Sequence, residues 1–134
     1  MVDLVSYLIT VTIVSLFVNL ALSLYGILAR PSLIKKIIAL TILGDTANTL
    51  AIVIGFRRPS TGDYPIPPVM TKLKPSPNDI AQFISKAVDP LPQALVLTAI
   101  VIGLAVTLFL VFLTLQIYRL YGTTDVRRIA KLRG

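Results

Sequence analysis

The chain has 134 residues, 55% of them hydrophobic and 14% charged, with a formal net charge of +7 and a mean hydropathy of +0.84, a balance outside the range of soluble domains. It contains neither Cys nor His, so thiolate or imidazole metal sites, iron–sulfur clusters and disulfides are excluded, and no cofactor is expected. The basic residues stand where apolar runs end, at Arg30, Lys35, Lys36, Arg57, Arg58 and from Arg119 to Arg133, which reads as membrane orientation and not as nucleic-acid binding.

Three runs reach the ~20 residues needed to cross a bilayer: Leu4 to Ala29, Ile37 to Phe56 and Gln93 to Tyr118. The sequence therefore predicts an all-α membrane protein, a single membrane domain over residues 1–134 with helices at 4–29, 37–56 and 93–118, a loop at 57–92 and a basic tail at 119–134. The first run follows Asp3 rather than a basic segment and is too long for the apolar core of a secretion signal, so it is read as a retained helix. Ser15, Asn19, Ser23 and Gly26 share one face of it and offer small or amide side chains to a packing seam. Pro31 holds Arg30 extended, Ser32 is placed to cap the second helix, and Lys35 and Lys36 stay near the headgroups.

The second run carries the most informative residue. Asp45 lies near its middle, with no Lys or Arg between Ile37 and Phe56. An ionisable group at that depth costs roughly 2.5–3.5 kcal/mol on insertion scales, so it should face protein or water instead of lipid. Thr41, Asp45, Asn48 and Thr49 recur at helical spacing as a polar stripe, expected to point inward, and Gly44 allows close approach of a neighbour. Two readings stand side by side. Either Asp45 is a neutral acid that hydrogen-bonds a Thr or Asn on an adjacent helix, or the stripe is a proton or cation relay with Asp45, Asn48, Thr41 and Thr49 as path residues.

Most of the nine prolines fall between Arg57 and Pro92, and Tyr64 to Pro68 should run extended in water. Ser76-Pro77-Asn78-Asp79 then starts a short amphipathic helix, with Ile80, Phe83, Ile84, Ala87 and Val88 on one side and Gln82 and Lys86 on the other. Asp89-Pro90-Leu91-Pro92 leads into the third membrane helix, where Ala99, Gly103 and Thr107 form a small-residue ridge suited to helix contact. Beyond Tyr118, Arg119 and Tyr121 make an interfacial belt, and Thr123-Thr124-Asp125 caps a basic amphipathic tail through Leu132 that lies against anionic lipid. The short first loop and the tail outweigh the N-terminus in Lys and Arg, which predicts an outside N-terminus and a cytoplasmic C-terminus in the cell membrane.

The stretch from Asp89 through Gln93 to Gly103, followed by Leu104, Ala105, Val106 and Thr107, closely resembles the start of helix three in the small C-type component of Mrp-type multisubunit cation/proton antiporters. That family is similar to the small K-type subunit of respiratory complex I, and members occur in archaeal membrane-bound hydrogenases and sulfur-reducing complexes. The likeness extends more weakly over all three helices and includes Asp45-Thr46-Ala47-Asn48, which resembles the family's polar-x-x-Asn element. Complex I relatives use intramembrane glutamates, whereas this chain has no Glu, and the corresponding positions fall near Thr41 and Ala99. Relatives often carry His or Asn at the place of Asp45, so its carboxylate is a local feature.

The resemblance implies a non-catalytic membrane subunit of an Mrp-type antiporter module, with other membrane subunits and the bilayer as partners and no metal. The Pro-rich insertion and basic tail point to an archaeal respiratory setting such as a membrane-bound hydrogenase, in which the subunit supports Na⁺/H⁺ translocation. The alternative is a purely structural subunit that links a redox arm to antiporter-like subunits. A free-standing homo-oligomeric transporter fits less well, since no inverted repeat is readable in three helices.

Overall fold

A computed structural model describes residues 4–56 and 65–131. Within them the chain forms α1 (Leu4–Ala29), α2 (Leu33–Gly55), α3 (Pro77–Lys86), α4 (Pro90–Tyr121) and α5 (Val126–Ile129). The helices α1, α2 and α4 are long and apolar enough to cross a membrane, and the only extended pairings among the described residues are two isolated bridges. The three-span, all-α architecture is thus the predicted one, with the amphipathic α3 between the second and third spans. The expected features at Asp3, Arg57, Arg58, Tyr64, Leu132 and Arg133 lie outside the described residues.

Two helix starts differ from the apolar runs. The second helix begins at Leu33 and not at Ile37, because Lys35 and Lys36 join it. Lys36 Nζ reaches back to donate 2.6 Å to the Ile27 carbonyl in the last turn of α1, where a cation satisfies an orphan acceptor and suits the helix dipole. Ser32 occupies the N-cap position, but its side chain makes no capping bond; its carbonyl accepts from the Lys36 amide at 3.0 Å. The third span starts at Pro90, where the Asp89 carboxylate accepts from the Leu91 amide at 3.0 Å. Two prolines fit this first turn because its amides lack helical acceptors in any case. It ends at Gly122, whose φ of 67° is the left-handed cap that glycine adopts without strain. Its 32 residues rise about 48 Å, against about 30 Å of hydrocarbon, so the helix continues into both headgroup layers and carries Tyr118, Arg119 and Tyr121 with it.

The middle rail is α2. Both α1 and α4 pack along it, while α1 and α4 scarcely meet. Toward α1 the closest approach is Gly26 to Ala39, where a Cβ on the glycine would lie 2.8 Å from the Ala39 Cβ. Ala39 and Thr46, seven residues apart and so on one face, are both buried there, as are Leu16 and Ser23 on α1. Toward α4, a Cβ on Gly55 would lie 2.7 Å from Pro92 Cγ, and farther along Ile37 and Leu40 share a groove with Leu110, Leu113 and Thr114.

Each end of this layer is tied by a short backbone pairing. At one end, the Leu33 amide donates to the Thr124 carbonyl and the Val126 amide to the Pro31 carbonyl, both at 3.0 Å, which pins the tail against the first turn. Arg30 there lies 5.8 Å from the Tyr25 ring centroid, a cation–π distance. At the other end, the Ile66 amide donates 3.0 Å to the Lys86 carbonyl and the Val88 amide 3.1 Å to the Ile66 carbonyl, so the Pro-rich segment folds back on the end of α3. That helix opens with a reciprocal cap: Ser76 Oγ accepts from the Asp79 amide at 3.3 Å, and Asp79 Oδ2 accepts from the Ser76 amide at 3.0 Å.

Candidate functional site

A helix in hydrocarbon satisfies its own backbone, and side-chain hydroxyls add to that economy by donating to the preceding turn. Thr41 Oγ1 donates to the Ile37 carbonyl at 3.0 Å, Thr46 Oγ1 to Ile42 at 2.7 Å and Thr49 Oγ1 to Asp45 at 2.8 Å. Ser23 and Thr114, the other two buried hydroxyl residues, do the same toward Leu20 and Leu110. Nothing comparable serves the carboxylate of Asp45. Among the described residues it accepts no hydrogen bond and joins no ion pair, the one ion pair being Lys72 with Asp79. With 12 residues back to Leu33 and 10 on to Gly55, Asp45 stands about 18 Å and 15 Å from the two ends of α2, at mid-membrane.

The direction of the stripe differs from the inward one expected. Asp45, Thr41 and Thr49 are exposed, on a face of α2 covered by neither α1 nor α4. The reason is angular. Successive helical residues turn by about 100°, so the burial of Thr46 against α1 and of Gly55 against α4 leaves Asp45 in the gap between the two seams. Asn48 parts from the stripe: it is half-buried and lines the α2–α4 groove with Ala51, Val96 and Ala99. Asp89 stands at the mouth of that groove, beside Leu91 and Pro92. The structure therefore places Asn48 and Ala99 together and sets Asp45, Thr41 and Thr49 apart on an adjacent open face.

The residues expected to pack helices divide similarly. Ala99 and Thr107 are half-buried, whereas Asn19, Gly44 and Gly103 are exposed. A Cβ on Gly44 or Gly103 would meet nothing within 4 Å, so within this chain neither glycine brings two helices together. The glycines that do so are Gly26 and Gly55. Gly26 was legible in the first helix's small-residue face; Gly55 carried no sequence signal beyond its nearness to the end of an apolar run. No group of three or more potential metal-ligating side chains occurs among the described residues.

Charge separates the two ends. Among the described residues the tail end gathers Arg30, Lys35, Lys36, Arg119, Arg127, Arg128 and Lys131 against the single carboxylate of Asp125, and that carboxylate accepts from the Arg127 amide at 2.9 Å as the cap of α5. The loop end mixes Lys72, Lys74 and Lys86 with Asp79 and Asp89. Hydrogen bonds from the Lys72 ammonium and from Ser76 hold the Asp79 carboxyl down to about 2.

The chain matches the family model described as NADH-ubiquinone/plastoquinone oxidoreductase chain 4L over residues 7–134. It is 39% identical over 106 residues to the C1 subunit of a Na(+)/H(+) antiporter of Staphylococcus saprophyticus, covering 79% of this chain and 78% of the relative. The C1 subunit of a Na(+)/H(+) antiporter of Staphylococcus haemolyticus is 33% identical over 109 residues, with 81% and 82% covered. Among solved structures, a chain of the membrane-bound sulfane sulfur reductase, an archaeal respiratory membrane complex, superposes with a TM-score of 0.68 at 33% identity, covering 87% of this chain and 94% of that one.

Proposed function

We propose, from the premise that this chain belongs to the NADH-ubiquinone/plastoquinone oxidoreductase chain 4L family, that it is a non-catalytic membrane subunit of an antiporter-type module. Its three spans pack against larger ion-translocating membrane subunits, and the open face of α2 borders a hydrated path between them. The observation that carries this reading is the carboxylate of Asp45, exposed at mid-membrane without a partner among the described residues. Such a group is disfavoured against lipid and favoured against water or protein. Its occupancy by H⁺ or Na⁺ then follows the water and charge that neighbours bring, so a rearrangement beside it can load or unload it. Names of relatives support the cation, as Na(+)/H(+) antiporter subunits, and the solved archaeal sulfane sulfur reductase supports a respiratory host, for which the family resemblance adds a membrane-bound hydrogenase.

The same reading sets the topology. The cationic end formed by Arg30, Lys35, Lys36 and the tail residues up to Lys131 is cytoplasmic, and the N-terminus and the α3 loop lie outside, because flanking Lys and Arg are retained on the cytoplasmic side. The test of function is cation flux in vesicles that contain the assembled complex. Asp45→Asn should keep the complex intact and lower coupled Na⁺/H⁺ exchange by about a hundredfold or more, the range in which loss of a positioned proton-transfer group falls. Undiminished exchange would reduce Asp45 to packing.

A second reading, a structural subunit that joins a redox arm to antiporter-like subunits, is favoured by the exposed glycines Gly44 and Gly103, which leave room for other backbones. It predicts that Asp45→Leu blocks assembly while Asp45→Asn is silent in transport.

A further inference from the structure

The open face of α2 has a definite composition. Asp45 is its centre; Ile42 and Ile38, one and two turns before it, are 44% and 56% exposed, and Thr41 and Thr49 flank it as exposed residues. The two threonine hydroxyls are engaged on the Ile37 and Asp45 carbonyls, so neither supplies a proton to the carboxylate. The nearest cation on the helix, Lys36, donates to the Ile27 carbonyl. Asn48 lines the α2–α4 groove instead. Every donor in this chain that helical spacing brings near Asp45 is therefore occupied or directed elsewhere.

We propose that this face docks a transmembrane helix of a neighbouring subunit that presents a basic side chain, Lys or Arg, at mid-membrane depth to Asp45. The occupant follows from charge complementarity. An acid alone in an apolar surface is satisfied most completely by a cation that arrives with its own apolar helix, because the pair removes both charges from lipid at once. Ile38 and Ile42 supply the apolar flank on which that helix seats, and the small side chains of Thr41 and Thr49 leave its basic side chain room to reach the carboxylate. This proposal rests on the reading that other membrane subunits surround the chain, and it names the chemistry of the one that covers α2.

The test needs no other subunit. The full chain, which lacks Cys, accepts a single dye through Lys131→Cys at its exposed tail. It is reconstituted in phosphatidylcholine bilayers with a labelled Leu/Ala helix of about 21 residues carrying Lys, Asn or Leu at its centre, and association is read by energy transfer. The Lys helix should associate about tenfold more tightly than the Leu helix, the scale of a strong interhelical polar contact. That preference should vanish in Asp45→Leu and shrink in Asp45→Asn, while Gly103→Leu, on α4, leaves it intact. Equal association of the Lys and Leu helices, or a Lys preference that survives Asp45→Leu, overturns the proposal. An Asn helix that binds as well as the Lys helix also overturns it, in favour of a neutral hydrogen-bonding neighbour. Because transport is not measured, a negative result removes the basic helix and leaves the flux experiment to judge the subunit's role.

Discussion

Where α2 meets α1, Ala39 and Thr46 are buried, Gly26 lets the backbones approach, and the Thr46 hydroxyl is turned onto its own helix. About 100° around the same helix, Asp45 is exposed, no backbone approaches, and the carboxylate has no donor among the described residues. The first surface is finished within the chain and the second is not. In a membrane the distinction is physical: apolar side chains alone gain little by leaving lipid, so seams close through small residues and self-satisfied hydroxyls, and an unsatisfied polar group marks a surface that needs another molecule.

The largest expected effect on this contrast comes from removing the acid. Asp45→Leu should improve membrane insertion of the isolated α2 segment by about 3 kcal/mol, from the difference between Asp and Leu at a helix centre; an insertion assay with engineered glycosylation sites measures it, and no gain would mean that Asp45 is already sheltered in the segment alone. Next in size is a steric comparison. Gly26→Leu should destabilise the purified chain by about 1–3 kcal/mol through overpacking against Ala39, whereas Gly44→Leu, where an added Cβ meets nothing within 4 Å, should not destabilise it. Unfolding in mixed micelles reads both; equal effects would erase the difference between closed and open faces.

The smallest effect concerns a carboxylate that the chain does satisfy. Asp79 is held at about 2, from an ordinary 3.8, first by the Lys72 hydrogen bond and then by those of Ser76. A lowered folded value means that its contribution to the first turn of α3 is complete above pH 3.8 and is lost as the pH falls through about 2. Amide exchange at Asp79 and Ile80 should rise over that window, and Asp79→Asn should abolish the pH dependence. Both groups are partly exposed, at 63% for Lys72 and 29% for Asp79, so the change stays local and leaves the spans unaltered.

The spans were legible because length and hydropathy alone decide them, and α3 because Ser76 and Asp79 carry the spacing of a reciprocal cap. The start at Leu33 was legible in the cap position of Ser32 and not in the apolar run, which Lys35 and Lys36 interrupt although Lys36 is held by a carbonyl nine residues away. Not legible were the pairings of Ser32 with Asp125 and of Ile66 with Ala87, each made by backbone groups that any sequence possesses. The polar stripe itself could be read from spacing, but its direction could not. Around α2 both the covered and the open faces are largely apolar, so hydrophobic periodicity, the guide that orients helices in water, has no contrast to report.

Because α1 and α4 scarcely touch, the subunit is a partition one helix thick and not a bundle. Neighbours on opposite sides of it would press on the same central rod, separated by little more than its diameter of about 10 Å. A shift of one neighbour is then felt by the other through a single rigid element, with no interior to repack along the way.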